Sequence, residues 1–334
     1  LDQAQELYEL AVGLDSGYAP ALAGLAAVHA MRFTFTTDTR ELGAAADYAR
    51  RAIEADPELV EPRIWLGYAL LRQGRFDDGL EQERRAMELD PAAVLAPYFA
   101  GCCAALPGRH AEGLVLFQRT LEMEPRHGWA WLGLGWAHLE LGSGAEARWC
   151  LERAVELERL RSPHPTAGVS GYLGECLRRL GDLAGARQRC LEGLEAVERS
   201  DNMYRDTFRA FCLCALGRTA LAQRDEAAAH AAFAQAVTHL RGRRRALGGG
   251  HLLVQALAGL AQSGAGGGPF EEALGLFRSR PGYDFSLMWA CSDGVTLLDL
   301  ARAAAALGRG AESLVLLAEA RRAGSKEAAA LDAP

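Results

Sequence analysis

Residues 124–158 read EPRHGWAWLGLGWAHLELGSGAEARWCLERAVELE, and two features of this stretch decide the fold. The first is register. Pro125 closes a series with Pro57 and Pro91 at a step of 34 residues, and each proline follows an acid: Asp56, Asp90 or Glu124. Gly135 keeps the same step with Gly67 and Gly101, and Gly142 keeps it with Gly74 and Gly108. A fixed period of this size marks an array whose units bury a face only against their neighbours. The second feature is helical spacing. Trp131, Leu134, Gly135 and His138 fall at i, i+3, i+4 and i+7, one face of a helix. Ala147, Leu151 and Ala154 give a second helix. Gly142 lies between the two, where its tolerance of positive φ lets the chain reverse.

The small residues Gly135 and Ala147 then stand where two antiparallel helices touch. The three prolines end second helices, because proline lacks an amide donor and restricts the residue before it. This unit, Gly128 to about Glu158, resembles the tetratricopeptide repeat. That pattern runs Trp-x-x-Leu-Gly-x-x-Tyr, then Ala-x-x-x-Phe, then Pro. Here His138 replaces the tyrosine, Leu151 the phenylalanine, and Arg159 stands at the proline. The resemblance implies an all-α, superhelical solenoid of antiparallel helix pairs.

Outward from this unit the pattern holds and then loosens. One neighbour carries Leu66, Gly67, Gly74, Ala86 and Pro91, although Arg63 is wrong for its first core position. The next carries Gly101, Gly108, Phe117, Leu121 and Pro125. Upstream, Leu22, Leu25 and Ala26 pair with Ala45, Ala49, Ala52 and Ile53. That unit is seven residues too long, with an insert near 33–40. Residues 1–16 match only a second helix (Ala4, Tyr8, Ala11), which, with no initiator Met, implies sequence upstream of Leu1. Residues 1–160 are therefore expected to form a regular array whose first repeat is truncated. Residues 161–334 are expected to form degenerate helix pairs with longer connections. Ser162-Pro163-His164-Pro165 reads as a linker. The later pairs are Leu173, Gly174 with Gly181, Ala186, Cys190; Leu213, Leu216, Gly217 with Ala229, Phe233; Leu257, Leu260 with Ala273, Phe277 across Gly264–Gly268; and Leu297, Leu300, Ala301 with Gly308, Leu317, Ala320.

Composition narrows the function. The 334 residues carry a net charge of −7, and no cationic cluster suits a phosphate backbone, so no nucleic-acid partner is expected. The densest basic run, Arg241, Arg243, Arg244 and Arg245 beside Gly248–Gly250, reads as a solvated linker. No charge-free apolar stretch is long enough to span a bilayer, and Leu1-Asp2-Gln3 opens no signal peptide. The eight cysteines form no Cys-x-x-Cys pair and read as reduced, packed thiols of a cytoplasmic protein. No metal or cofactor is expected.

Lys326 is the sole lysine, which removes phosphate-loop and protein-kinase chemistry. Neither a Gly-x-Ser-x-Gly elbow nor a His-Glu-x-x-His zinc helix occurs. Gly142-Ser143-Gly144-Ala145-Glu146-Ala147 mimics a dinucleotide fingerprint but sits in a helix-pair turn with no preceding strand. The chain is read as no enzyme.

The resemblance implies that first helices line a concave groove. A stripe offset from the core stripe then gives Ile64 and Tyr68, Leu95 and Tyr98, Trp129, Leu132 and Trp136, and finally Glu175 and Arg178, with Arg179 beside them. Such a wall is aromatic and apolar over three repeats, then charged, and suits an amphipathic helix or extended peptide of a protein partner. Internal packing of the same rings is the competing reading. A carboxylate clamp built of lysine and asparagine, which some members use, has no such residues here. Three roles follow: a non-enzymatic interaction scaffold, the regulatory or sensor arm of a larger bacterial signalling protein, or a self-assembling homo-oligomeric scaffold.

Overall fold

The computed structural model describes residues 1–36, 38–161, 167–199, 204–241, 249–279 and 293–331, and among these every regular element is a helix. The Ser162–Pro165 linker, the Arg243–Arg245 run, Gly248 and Cys291 lie outside the described residues.

The chain forms two compact units. The first comprises residues 1–106 and 112–125. It holds α1 (Asp2–Leu14) and the pairs α2 (Ala19–Thr36) with α3 (Thr39–Ala55), α4 (Glu61–Arg72) with α5 (Phe76–Leu89), and α6 (Leu95–Ala105) with α7 (His110–Met123), the last from Glu112 onward. The second comprises residues 107–111 and 126–334. Its pairs are α8 (Gly128–Glu140) with α9 (Gly144–Arg161), α10 (Ala167–Arg179) with α11 (Leu183–Glu198), and α12 (Arg205–Ala222) with α13 (Glu226–Arg241). α14 (Gly249–Leu260) with α15 (Gly267–Ser279), α16 (Asp293–Ala306) with α17 (Gly310–Arg322), and the short α18 (Lys326–Ala330) complete it. Within each unit a first helix packs on its own partner and on the first helix of the next pair.

One contact repeats in five pairs. A Cβ placed on Gly67, Gly101, Gly135, Gly174 or Gly217 would fall within 2.2–2.7 Å of the side chain sixteen residues on. Those side chains are Glu83, Phe117, Leu151, Cys190 and Phe233. Glycine is required because the facing side chain occupies the space of its missing Cβ. The hairpin turns are equally regular, with Gly74, Gly108, Gly142, Gly181 and Gly308 at positive φ. In the α12–α13 turn that role falls to Arg224, at φ 61°.

The acid before each proline also has a structural cause. Asp56 and Asp90 are extended residues at the ends of α3 and α5. Their Oδ1 atoms accept hydrogen bonds from the amides of Glu58 (3.0 Å) and Ala92 (2.9 Å). Asp15 does the same for Gly17 (2.9 Å) at the end of α1. A short acidic side chain thus holds the turn that the proline pre-sets.

Three departures from the sequence expectation are local. The extra residues of the α2–α3 pair are helical to Thr36 and again from Thr39, so they lengthen both helices. Arg63 snorkels: its Nη2 donates to the Pro57 carbonyl at 2.9 Å. The glycine-rich break is a π-helical turn at Ala261–Ala265, where Ser263 and Gly264 leave helical geometry.

Candidate functional site

The first helices are buried on nearly every side. α6 reads LAPYFAGCCAA and is buried from Ala96 to Ala105. α4 is buried from Leu66 to Arg72. A helix that is apolar all round has no face suited to water. Of the expected stripe, Ile64, Tyr68, Tyr98, Leu132, Trp136 and Glu175 are buried, Trp129 and Arg178 are half-buried, and Leu95 is 38% exposed.

In the first unit Phe99 links two of these rings, with centroids 5.2 Å from both Tyr68 and Tyr98. The Tyr68 hydroxyl lies 3.0 Å from Thr34 Oγ1. Arg72 is fully buried, and its three guanidinium nitrogens have no hydrogen-bond partner among the described residues. Its charge rests on the faces of Phe33 (5.1 Å) and Tyr68 (5.6 Å), a cation–π arrangement. Glu83 is also fully buried, with neither carboxyl oxygen hydrogen-bonded among the described residues. Burial pushes its pKa well above the usual carboxylate range.

The second unit brings Trp136, Glu175 and Arg178 together, and adds charges that the stripe did not contain. Glu175 is 3% exposed and accepts from Arg178 Nη2 at 2.7 Å and Nε at 3.1 Å, and from Arg179 Nε at 3.1 Å. Arg218 Nε on α12 approaches its other oxygen at 3.4 Å. Arg179 also donates to Glu140 of α8 at 2.8 Å, and its guanidinium lies 5.0 Å from the Trp136 ring. Arg218 Nη1 donates to Asp299 of α16 at 3.2 Å, and Gln255 on α14 accepts from the same nitrogen at 3.4 Å. Glu327 of α18 completes the cluster. It accepts from Arg302 at 2.6 Å and Arg178 at 3.2 Å, and lies 3.4 Å from Arg179 Nε.

Successive first helices thus direct their polar residues to one place. Burial alone would raise Glu175, but Arg178, Arg218 and Arg179 outweigh it and hold the carboxylate well below its usual range. Burial opposes ionisation of Glu327 too, yet Arg179, Arg302 and Arg178 bring its pKa to about 2. Asp299 is raised by burial, with Arg218 and Arg302 countering only in part. Four arginines face four carboxylates, and the chemistry on offer is recognition of carboxylates rather than proton transfer.

Glu140, Arg218, Asp299, Arg302 and Glu327 escaped the sequence reading. Arg218 and Asp299 do carry a signal: Arg218 is the one charge from Phe211 to Ala222, and Asp299 the one charge from Val295 to Ala301. Glu327 carries none, because five residues are too few for periodicity.

Elsewhere, a cavity of about 550 Å³ opens between α11, α12 and α13. Its charged lining is already paired, Arg209 with Glu198 and His239 with Asp206. Seven cysteines are buried without a disulfide. Burial pushes the thiols of Cys102, Cys150, Cys190 and Cys214 up to about 12 and Cys176 up to about 11.

Two family models, each described as tetratricopeptide repeat, match residues 38–94 and 104–164. These stretches are tetratricopeptide repeats. The likeness of fold extends further. Pseudomonas aeruginosa PilF superposes with a TM-score of 0.51 at 18% identity, covering 70% of this chain and 96% of that one. The structure of the APC/C hetero-tetramer Cut9-Hcn1 superposes with a TM-score of 0.54 at 15% identity, covering 97% of this chain and 56% of that one. No curated protein matches the sequence. The tetratricopeptide fold is an all-α protein-interaction scaffold, and the repeats here have that architecture.

Proposed function

We propose that this repeat protein is a non-catalytic scaffold that receives a peptide or helix of a protein partner on the wall of its first helices. In the first unit that wall is Ile64, Tyr68, Leu95 and Tyr98. In the second it is Trp129, Leu132, Trp136, Glu175 and Arg178. The observation that carries this reading is α18. In the second unit Arg178, Arg179 and Arg302 grip Glu327 of this short segment, which supports reading the surface around them as a wall that takes up a chain. No nucleic acid, metal or cofactor enters this reading, and the cytoplasm is the compartment it assumes.

The accessible wall residues give the test. Leu95 and Trp129 are the ones to replace, since truncating buried Trp136 costs about 3–5 kcal/mol by itself. A partner captured by the unaltered chain is lost by Leu95→Asp or Trp129→Ala while the melting temperature holds. Undiminished capture by both variants rejects the wall.

The self-assembling reading has one observation of its own. Leu7, Leu10 and Leu14 on α1 are 61%, 63% and 84% exposed along one helix face. Light scattering across a concentration series tests it, and a strict monomer throughout rejects it.

A further inference from the structure

We propose that the cleft between Arg178, Arg179 and Arg302 is a binding site for an acidic helical segment of a partner protein, and that α18 is its tethered, displaceable stand-in. This builds on the scaffold reading and specifies the ligand for one part of the wall.

The argument starts from α18. Five residues are far too few to hold a helix in water, so its conformation depends on what it touches. Three contacts fix it. Glu327 meets the arginines, Ala328 is fully buried, and the Ser325 hydroxyl accepts from the Ala328 amide at 3.2 Å. Its partner helix α17 adds one more, Arg321 Nε donating to the Ala328 carbonyl at 3.1 Å. The tether is a turn at Gly324, φ 86°, so tightly seated that a Cβ there would meet the Gly108 Cα at 3.0 Å. The hinge is therefore fixed while the segment beyond it has a small footprint. Segments with few buried contacts open at low free-energy cost.

Opening changes the charge balance. With Glu327 gone, Arg178, Arg179, Arg218 and Arg302 face only Glu140, Glu175 and Asp299. Each arginine keeps a carboxylate, but the cluster then holds four cations against three anions, so the vacated cleft selects for a carboxylate. Arginine forks favour a planar acid that can be met from several sides. The neighbouring position selects as well: Ala328 is enclosed, so the residue after the acid must be small. The ligand is thus a Glu-Ala helical turn, preferably with Ser or Thr two residues before the acid to cap it.

The probe is the chain's own segment, residues 324–334 (GSKEAAALDAP), made as a fluorescein-labelled peptide and titrated into the full chain. A tethered competitor acts at an effective concentration of about a millimolar, so the unaltered chain binds weakly. Glu327→Gln releases the cleft, and the peptide binds that variant at least about tenfold tighter. The same peptide with Gln for its Glu does not bind. Arg302→Gln added to Glu327→Gln removes binding again. A second measurement needs no variant: excess unlabelled peptide speeds amide exchange across 326–330 in the unaltered chain at least about tenfold.

Equal binding to both chains, binding of the Gln peptide, or unchanged exchange overturns the proposal. A dimer that forms in the unaltered chain and is lost in Glu327→Gln also overturns it, because a second copy is then the occupant. Capture through Leu95 and Trp129 that persists without peptide binding refutes this cleft alone and leaves the wider scaffold reading intact.

Discussion

Glu83 lies over Gly67 in the position that Phe117 takes over Gly101 and Leu151 over Gly135. One repeat therefore places a carboxyl where its neighbours place a hydrophobe, and nothing among the described residues hydrogen-bonds it. An unpaired buried polar group is a net cost. Replacing it with an apolar side chain of similar size, Glu83→Met, stabilises the protein by about 1–4 kcal/mol at neutral pH. Urea unfolding followed by circular dichroism measures this, and a lower midpoint refutes it.

The same residue predicts an alkaline trend. Its folded pKa is raised, so its contribution is fully present below the usual carboxylate range near 4.5 and is lost as pH rises toward the folded value. The gain from Glu83→Met therefore grows from pH 4 to pH 8. A difference in melting temperature that stays flat over this range counts against the assignment.

Glu327 has the opposite sign. Its folded pKa is depressed to about 2, with Arg179, Arg302 and Arg178 facing it favourably and Glu175 opposing. Its stabilisation is present above the usual range and fades as pH falls from about 4.5 toward 2. The melting deficit of Glu327→Gln is constant above pH 5 and shrinks below it. A deficit that persists at pH 2 contradicts this.

Burial, rather than pairing, sets the cost of losing a charge. Arg218, between Glu175 and Asp299, is 8% exposed, whereas Arg241 and Glu272 form a pair with side chains 55% and 42% exposed. Arg218→Ala leaves buried Asp299 with only Arg302, 3.8 Å away, and costs about 3–5 kcal/mol. Arg241→Ala costs at most about 1 kcal/mol. Comparable losses for the two would show that the inner cluster is solvated.

Among the described residues one turn carries a strained, left-handed side chain. Arg224 takes the left-handed conformation that glycine takes in five equivalent turns. A left-handed non-glycine residue costs about 1–2 kcal/mol, so Arg224→Gly stabilises by roughly 1 kcal/mol despite the added entropy of glycine. An unchanged or lower melting temperature rejects this.

Much of the fold is written in the sequence, because each hairpin is a local object. Pro57, Pro91, Pro125 and the turn glycines mark its ends, and Gly135 with Leu151 mark its seam. What the sequence conceals is long-range. Arg218 and Asp299 are 81 residues apart, and Arg178 and Glu327 are 149 apart; only the stacking of first helices brings them together. The burial of the expected wall was nonetheless signalled. From Leu95 to Ala105 there is no charged residue at all, and a helix with no polar side turns most of its surface to protein, here leaving Leu95 alone of that stretch exposed.

Seven enclosed thiols also make this protein a recorder of its own unravelling. Cys102 and Cys103 ride on α6, Cys150 on α9, Cys176 on α10, Cys190 on α11, and Cys212 and Cys214 on α12. Held out of solvent, they stay inert toward a maleimide until the helix carrying them separates. A timed labelling pulse read by peptide mass would therefore give the order in which the hairpins come apart.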